Sequence, residues 1–407
     1  MMEAAIRYEV ARDRLNDAFH QVAGTQTIPV RAAYGRISAT TIKSPLSLPE
    51  TDNAAVDGYC VSSAFLSDNP DYDFPVIGEA KAGHPFDGTV SPGQAVRIFT
   101  GAIMPKGADC VMMQEFCVAK DNHVRFSKPM AAGKNARPAG ENLALGEQII
   151  QQGDIISPVH IAQLAAIGQQ DISVMRPLRV GVLSTGDELV NPQAEVEKPF
   201  GHIFDTNRPL ITALIEQAGH LAIDGGIIRD DATHLAEAYT ALSKSCDMVI
   251  SSGGASQGVE DHTQSALSSI GATSLFWRVA MKPGRPVAAA KFGQIPIFAL
   301  PGNPVAVFVC YKLFVAPLLD KLSHGHFPHL KKIMLPVGFS ATKPVNERAE
   351  FVRVKLALTK SGETVMVPHG RKGAGVLSSL TGADGLAELP FEADHINEGQ
   401  KVPFIMI

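Results

Sequence analysis

The sequence predicts a multi-domain chain of α/β and β classes. It comprises a doubly wound parallel-sheet domain, a β-rich inserted domain, a small mixed helical domain and a C-terminal, barrel-like β domain. Three observations carry this. The 407 residues exceed what one core of ordinary size encloses, so two to four domains are expected. From Pro177 to about Ser323, near-continuous apolar strands alternate with amphipathic helices, the pattern of βαβ units whose sheet is covered on both faces. On either side of that stretch, short apolar runs are punctuated by Gly and Pro, the texture of turn-rich β structure.

The elements follow in order. Ile6, Val10, Leu15, Ala18, Phe19 and Val22 fall at helical spacing with charges between them, which predicts an amphipathic first helix. From Pro45 to about Gly153, "FPVIGEA", "AVRIFTGA", "CVMMQEFCVA" and "HVRFSKP" read as short strands. Helix returns at "SPVHIAQLAAIG", with Ser157 as N-cap and Pro158 at the first helical position. Next come strand "LRVGVLST", helix "RPLITALIEQAG" stopped by Gly219, strand "LAIDGGII", helix "ATHLAEAYTALSKS", strand "DMVISS" and helix "HTQSALSSIG". Strand "IPIFALPG" and one long helix, "PVAVFVCYKLFVAPLLDKL", complete the series. Beyond about Phe327, Phe351, Arg353, Lys355 and Ala357 alternate with Val352, Val354, Leu356 and Leu358, and "TKSGET" turns a hairpin. The boundaries expected are 1–44 together with 147–176, then 45–146, 177–326 and 327–407.

Composition narrows the class. With 45% hydrophobic and 19% charged residues the chain is a folded protein, and a net charge of -5 gives no footprint for nucleic acid. The most apolar helix, Val305 to Leu322, is interrupted by Lys312 and Asp320, so no membrane span is expected. The charged N-terminus lacks a signal-peptide core. Five scattered cysteines suit a reducing cytoplasm, as small core residues. His324, His326 and His329 read as a solvated linker rather than a metal site.

The chemistry should lie where open parallel sheets bind ligands, at the carboxyl ends of the strands. Each loop there is unusual: Ser184-Thr185-Gly186-Asp187-Glu188, Phe204-Asp205-Thr206-Asn207, Arg229-Asp230-Asp231, and Ser251 to Asp261 with Ser252, Gly253, Gly254 and Ser256. Leu300-Pro301-Gly302-Asn303-Pro304 follows, after the basic turn Arg278 to Pro286 that contains Lys282 and Arg285. Gly and Ser let backbone N–H groups approach an anion, and Lys282 and Arg285 add full charges. Carboxylates would repel that anion, so Glu188, Asp230 and Asp261 make sense with Mg²⁺ set between them and a phosphate. Asp231 and Asp205 also have a plainer reading as helix caps, and the prolines of 301–304 as turn formers. "GGASQG" is not a dinucleotide fingerprint, and no P-loop pattern exists.

At this point the chain resembles the MoeA and gephyrin E-domain family of molybdopterin molybdenumtransferases. The resemblance rests on "SPLSLPETDNAAVDGY", "RIFTGAIMPKGADCVMMQE", "STGDEL", "FDTN", "VISSGGASQGVED", "MKPGRP", "LPGNPVA" and "VLSSLTGADGLAELP", in family order over nearly the full length. It implies an enzyme that binds adenylylated molybdopterin in the α/β domain, inserts molybdate at the dithiolene sulfurs and cleaves the adenylate with Mg²⁺, releasing AMP. It implies an elongated homodimer, a molybdopterin adenylyltransferase upstream and molybdoenzymes as acceptors. Carried over by position, Asp57 matches an acid needed for activity, and Glu188, Asp230 and Asp261 match acids of the ligand and Mg²⁺ cleft. Lys282 and Arg285 match the basic pair, Arg278 another basic position. Thr100 and Arg137 lie in matching motifs of the insert, and Arg348 and Arg353 complete an oxyanion pocket.

The chain departs from the family pattern at Asn142, where an acid is frequent, and at Ala306 and Ala374, where serine is frequent. These departures favour an alternative, a non-catalytic molybdopterin-binding paralogue or scaffold; the intact Asp57, Glu188, Asp230, Asp261 and Lys282 favour the enzyme. A third reading is an enzyme of this fold acting on another nucleotide-like phosphate ester.

Overall fold

A computed structural model describes residues 4–193, 197–253, 260–345, 347–371 and 373–407, with Glu260 and Asp261 described by backbone alone. The chain forms two compact units, one of residues 27–174 and one of residues up to 26 with 175–407.

The smaller unit is built on a six-stranded sheet. Its spatial order is Cys110–Met113, Gly58–Val61, Ala95–Ile98, Phe74–Ala80, His123–Phe126 and Cys117–Lys120. Neighbours run antiparallel except Phe74–Ala80 beside Ala95–Ile98. Because successive side chains point to opposite faces, Val61, Ala95, Cys110 and Met112 feed one apolar cluster. Cys60, Val96, Ile98 and Val111 feed the other. A third cluster gathers Val30, Ile150, Ile156, Leu164, Ile172 and Val174 around the helix Pro158–Ala166. That helix starts as the sequence predicts: Ser157 Oγ accepts the His160 N–H and Pro158 opens the first turn.

The larger unit holds α1 (Tyr8–Ala18), β1 (Arg179–Thr185), α2 (Asn207–Gln217), β2 (Leu221–Ile228), α3 (Ala232–Ser243) and β3 (Met248–Ser252). It continues with α4 (Glu260–Ser269), β4 (Thr273–Phe276), β5 (Ala288–Phe292), β6 (Ile295–Leu300), α5 (Pro304–Cys310) and α6 (Ala316–His324). The sheet order is β2-β1-β3-β6-β5-β4. The first four strands are parallel, as expected. β5 and β4, by contrast, are antiparallel additions at one edge. These two strands were not expected, since "AAAKF" has no β-branched residue to announce a strand.

Both faces of the sheet are covered. Val180, Val182, Met248, Ile250 and Phe298 pack with Ile211 and Ile215 of α2. Leu183, Val249 and Ile297 pack with Leu235 and Tyr239 of α3 and with Ala266 and Leu267 of α4. The long helix expected over 305–322 is interrupted at Tyr311–Val315 by a turn with π geometry, where the Ala316 N–H reaches back to the Tyr311 carbonyl. Pro317 explains it: proline has no N–H for the carbonyl four residues earlier. That carbonyl, on Leu313, accepts instead from Arg12 Nη1 of α1 at 2.5 Å.

The last elements are β7 (Lys332–Pro336), β8 (Ala349–Leu358), β9 (Thr364–Pro368), β10 (Gly385–Leu389) and β11 (Lys401–Met406). β8 pairs with β10 through its first half and with β9 through its second. β10 pairs β11, β11 pairs β7, and a bridge from Val337 to Met366 of β9 closes the ring. The barrel-like expectation therefore holds, with Val354, Met366, Ala387, Val402 and Phe404 inside. Met281–Lys282 adds a short parallel strand to β8 and links the barrel to the α/β sheet.

Among the described residues, no helix is long and apolar enough to cross a membrane. Cys60, Cys110, Cys246 and Cys310 are buried and Cys117 half-buried. Burial pushes the Cys60 and Cys110 thiols up to about 12, which leaves them protonated core residues. We propose the finer division at 45–146 inside the smaller unit and at 177–326 and 327–407 inside the larger; the expected 1–44 with 147–176 part is instead shared between the units, because α1 and Phe19 pack into the larger one.

Candidate active site

Five loops meet at the carboxyl edge of the parallel strands. After β1, Thr185 is buried and its Oγ1 donates to Asp230 Oδ1, beyond β2, at 2.6 Å. The Asp230 N–H reaches Asp187 Oδ1 at 3.4 Å. After β3, Gly253 has a φ of +101° and lies so close to the first loop that a Cβ would stand 2.0 Å from the Thr185 carbonyl oxygen. Only glycine fits such a position. Ser252 Oγ donates to the Pro301 carbonyl, and Asn207 Nδ2 donates to the Gly302 carbonyl at 2.7 Å. The Glu188 carboxylate folds over Gly186, where a Cβ would come within 2.7 Å of its Oε2. Asp187 and Glu188 are exposed at this rim. Gly254 and Ser256 lie outside the described residues, as does the side chain of Asp261, whose backbone begins α4.

Two acids take structural roles. Asp205 is buried, accepts from the Asn207 and Arg208 N–H groups and pairs with Arg208 Nε at 3.0 Å, which makes it a helix-start acceptor. Asp231 caps α3 through the Thr233 and His234 N–H groups. Asn207 Oδ1, in contrast, is buried with no hydrogen-bond partner among the described residues. Such a group costs about 1–3 kcal/mol unless something satisfies it.

Beside this rim the same unit contains a cavity of about 620 Å³. Lys282, Arg285 and Pro286 line it from the basic turn, Asn303 and Ala306 from the start of α5, and Arg348 and Arg353 from the barrel. Ala374 is on its wall, with its carbonyl accepting from the Val305 N–H. Sequence reasoning missed Glu350, His369 and Arg371, which also line it. The signal for Glu350 was present, because a strand places residues 348 and 350 on one side. Arg353 is buried and committed: it donates to the Arg371 and Gly373 carbonyls at 3.2 Å and to Ser379 Oγ. It shapes the loop that forms one wall. Arg278 does not line the cavity; its carbonyl accepts the Ile6 N–H.

A third group lies in the smaller unit. The Asp57 carboxylate accepts from the N–H and Oγ1 of Thr100, both at 2.8 Å, and these two bonds hold it below the usual carboxylate range. Thr100, Arg137, Glu141 and Asn142 line a concavity next to it.

The donors at the rim are oxygens, which suits a hard cation. Among the described residues no three His, Cys, Asp or Glu side chains converge to enclose a metal. Glu188 and Asp230 both stand at this rim, and Mg²⁺ is usually held by one or two carboxylates that share it with a substrate phosphate and water.

Comparison with known proteins places these features in a family. Residues 6–168 match the MoeA N-terminal region (domains I and II), 181–321 a probable molybdopterin binding domain and 340–407 the MoeA C-terminal region (domain IV). The chain is 34% identical over 400 residues to a molybdopterin molybdenumtransferase of Haemophilus influenzae, covering 96% of both chains. It is also 34% identical to one of Nostoc, covering 96% of this chain and 92% of that one. A crystal structure of a molybdopterin biosynthesis MoeA protein from Pyrococcus horikoshii superposes with a TM-score of 0.84 at 28% identity, covering 99% of each chain.

Proposed function

From the premise that the chain belongs to the MoeA family of molybdopterin molybdenumtransferases, we propose how its larger unit carries out the transfer. The protein is a transferase of molybdenum cofactor biosynthesis. We infer that its substrates are adenylylated molybdopterin and molybdate, that Mg²⁺ assists, and that AMP is released. One observation carries this: the loop 300–304 borders both chemistries. Its Gly302 carbonyl is held by Asn207 at the acidic rim, while Asn303 lines the cationic cavity.

Each part has a task. The glycine and serine backbone of the rim approaches the pyrophosphate closely, and Asn207 Oδ1 offers a buried acceptor for a ligand N–H or O–H. Glu188, Asp230 and Asp261 would hold Mg²⁺, which when bound supplies positive charge to the phosphate that is cut. Thr185 fixes the Asp230 carboxylate by taking up one of its oxygens, leaving the other available. In the cavity, Lys282, Arg285 and Arg348 would hold molybdate, a dianion that needs full charges rather than backbone donors alone. Asp57, kept ionised by Thr100, is the acid we assign to the smaller unit's part in the reaction.

The test is direct. Purified protein mixed with adenylylated molybdopterin, molybdate and Mg²⁺ is expected to release AMP, and to stop when either ion is withheld. Tight pterin binding with no AMP released would support the scaffold reading instead.

A further inference from the structure

The proposal concerns Glu350, to which neither the motifs nor the family comparison assigns a role, and it rests on the reading that the cavity takes an oxyanion. Among the described residues that line the cavity, Glu350 is the one carboxylate, facing Lys282, Arg285, Arg348, Arg353 and Arg371. Its side chain is 14% exposed, against 57% for Lys282. Lys282 Nζ lies 3.2 Å from one carboxylate oxygen and 3.4 Å from the other. Arg348 Nε lies 3.3 Å from the second of these. The placement is fixed by backbone, since Lys282 and Glu350 are direct partners in the parallel pairing of Met281–Lys282 with β8, and Arg348 lies two residues before Glu350.

A carboxylate in an anion site opposes its ligand, because like charges in a half-buried site repel strongly. Its presence makes sense where the anion must be given up again. Binding that is too tight in the ground state lowers the rate of the step that follows, and molybdate here is cargo. We infer that Glu350 is the cavity's internal counter-anion: it holds Lys282 and Arg348 in place when the cavity is empty and weakens their grip on the oxyanion so that it can be passed on. Glu350 is thus a positioning residue, acting through the two cations.

The experiment titrates wild type, Glu350→Gln and Glu350→Asp with molybdate, sulfate and nitrate by calorimetry, and measures AMP release under saturating molybdate. Coulomb energy scales with ligand charge. Loss of the carboxylate is therefore expected to tighten the two dianions about tenfold and nitrate about threefold, while kcat falls about fivefold and KM for molybdate falls with it. Glu350→Asp, which keeps the charge, is expected to stay near wild type. A residue that served only the fold would weaken all three anions together. A thermal melt reports folding, and Glu350→Ala removes the same charge should the glutamine variant not fold. Unchanged or weaker dianion binding in a folded, neutral variant overturns the role of Glu350 and leaves the functional reading intact. If wild type binds neither molybdate nor sulfate, both fail.

Discussion

At the acidic rim, functional groups come from loops that follow neighbouring parallel strands, so one sheet edge collects Thr185, Asp230, Gly253 and Gly302 within a span of about a hundred and twenty residues. The cationic cavity beside it draws Lys282 and Arg285 from one turn and Arg348, Arg353 and Arg371 from the barrel. The rim is held by close backbone approach and short hydrogen bonds. The cavity is held by ion pairs and by one buried arginine tied to carbonyls. A rim of the first kind tolerates no added atoms, whereas a cavity of the second kind tolerates changes of shape better than changes of charge.

The largest effect expected is at the rim. Gly253→Ala forces a Cβ against the Thr185 carbonyl at a φ that side chains rarely adopt. A loss of about 3 kcal/mol is expected, combining overpacking with left-handed strain. A lowered melting temperature of the larger unit would show it, and an unchanged melt would refute the close-packed description. On the cavity side, Arg353→Leu leaves the Arg371 and Gly373 carbonyls and Ser379 Oγ without their donor. This should cost about 2 kcal/mol, whereas Arg285→Ala, at an exposed position, should leave the melt unchanged and weaken molybdate binding. Equal effects of the two variants on the melt would erase the distinction between wall and ligand contact.

A control lies at the opposite end of the same strands. Asp247 pairs with Arg176 through two bonds of 2.7 and 2.8 Å and accepts the Arg179 N–H. Burial pushes its carboxyl up, but the Arg176 and Arg179 bonds outweigh burial and hold it below the ordinary range. A depressed carboxyl stabilises the fold above its unfolded pKa near about 3.9 and loses that contribution as pH falls through the folded value. Asp247→Asn should therefore cost about 1–2 kcal/mol at pH 7. The gap from wild type should narrow as pH falls below that unfolded value, as read by denaturant melts. Activity per folded molecule should not change, which separates this end of the sheet from the rim. The smallest effect is expected for Thr185→Val, about 1 kcal/mol or less in stability. Its consequence should appear in a raised Mg²⁺ requirement for AMP release, because Asp230 loses its anchor.

What was legible follows from the same contrast. Apolar runs that stop abruptly in Gly, Ser and Asp announced the parallel strands and their loops, so the rim could be listed from Thr185 to Asn303 before any geometry was known. β4 and β5 were not legible, because four residues of "TSLF" and an alanine-rich "AAAKF" carry little strand signal. The π turn at 311–315 was foreshadowed by Pro317 but not its rescue, since Arg12 lies 301 residues from Leu313. Arg348 and Arg353 were reached through family resemblance alone. Their different placements, one lining the cavity beside Glu350 and one bracing a loop through carbonyls, are not encoded in any side-chain pattern.

The pairing of α1 with late parts of the chain has a consequence for how the protein is made. Arg12 also donates to the Pro328 carbonyl, and the Tyr8 hydroxyl donates to Glu388, 380 residues away. During synthesis the 27–174 unit emerges whole, while the opening helix still waits for partners not yet translated. Nascent chains stalled before residue 313 should therefore expose α1 to protease and protect the middle unit.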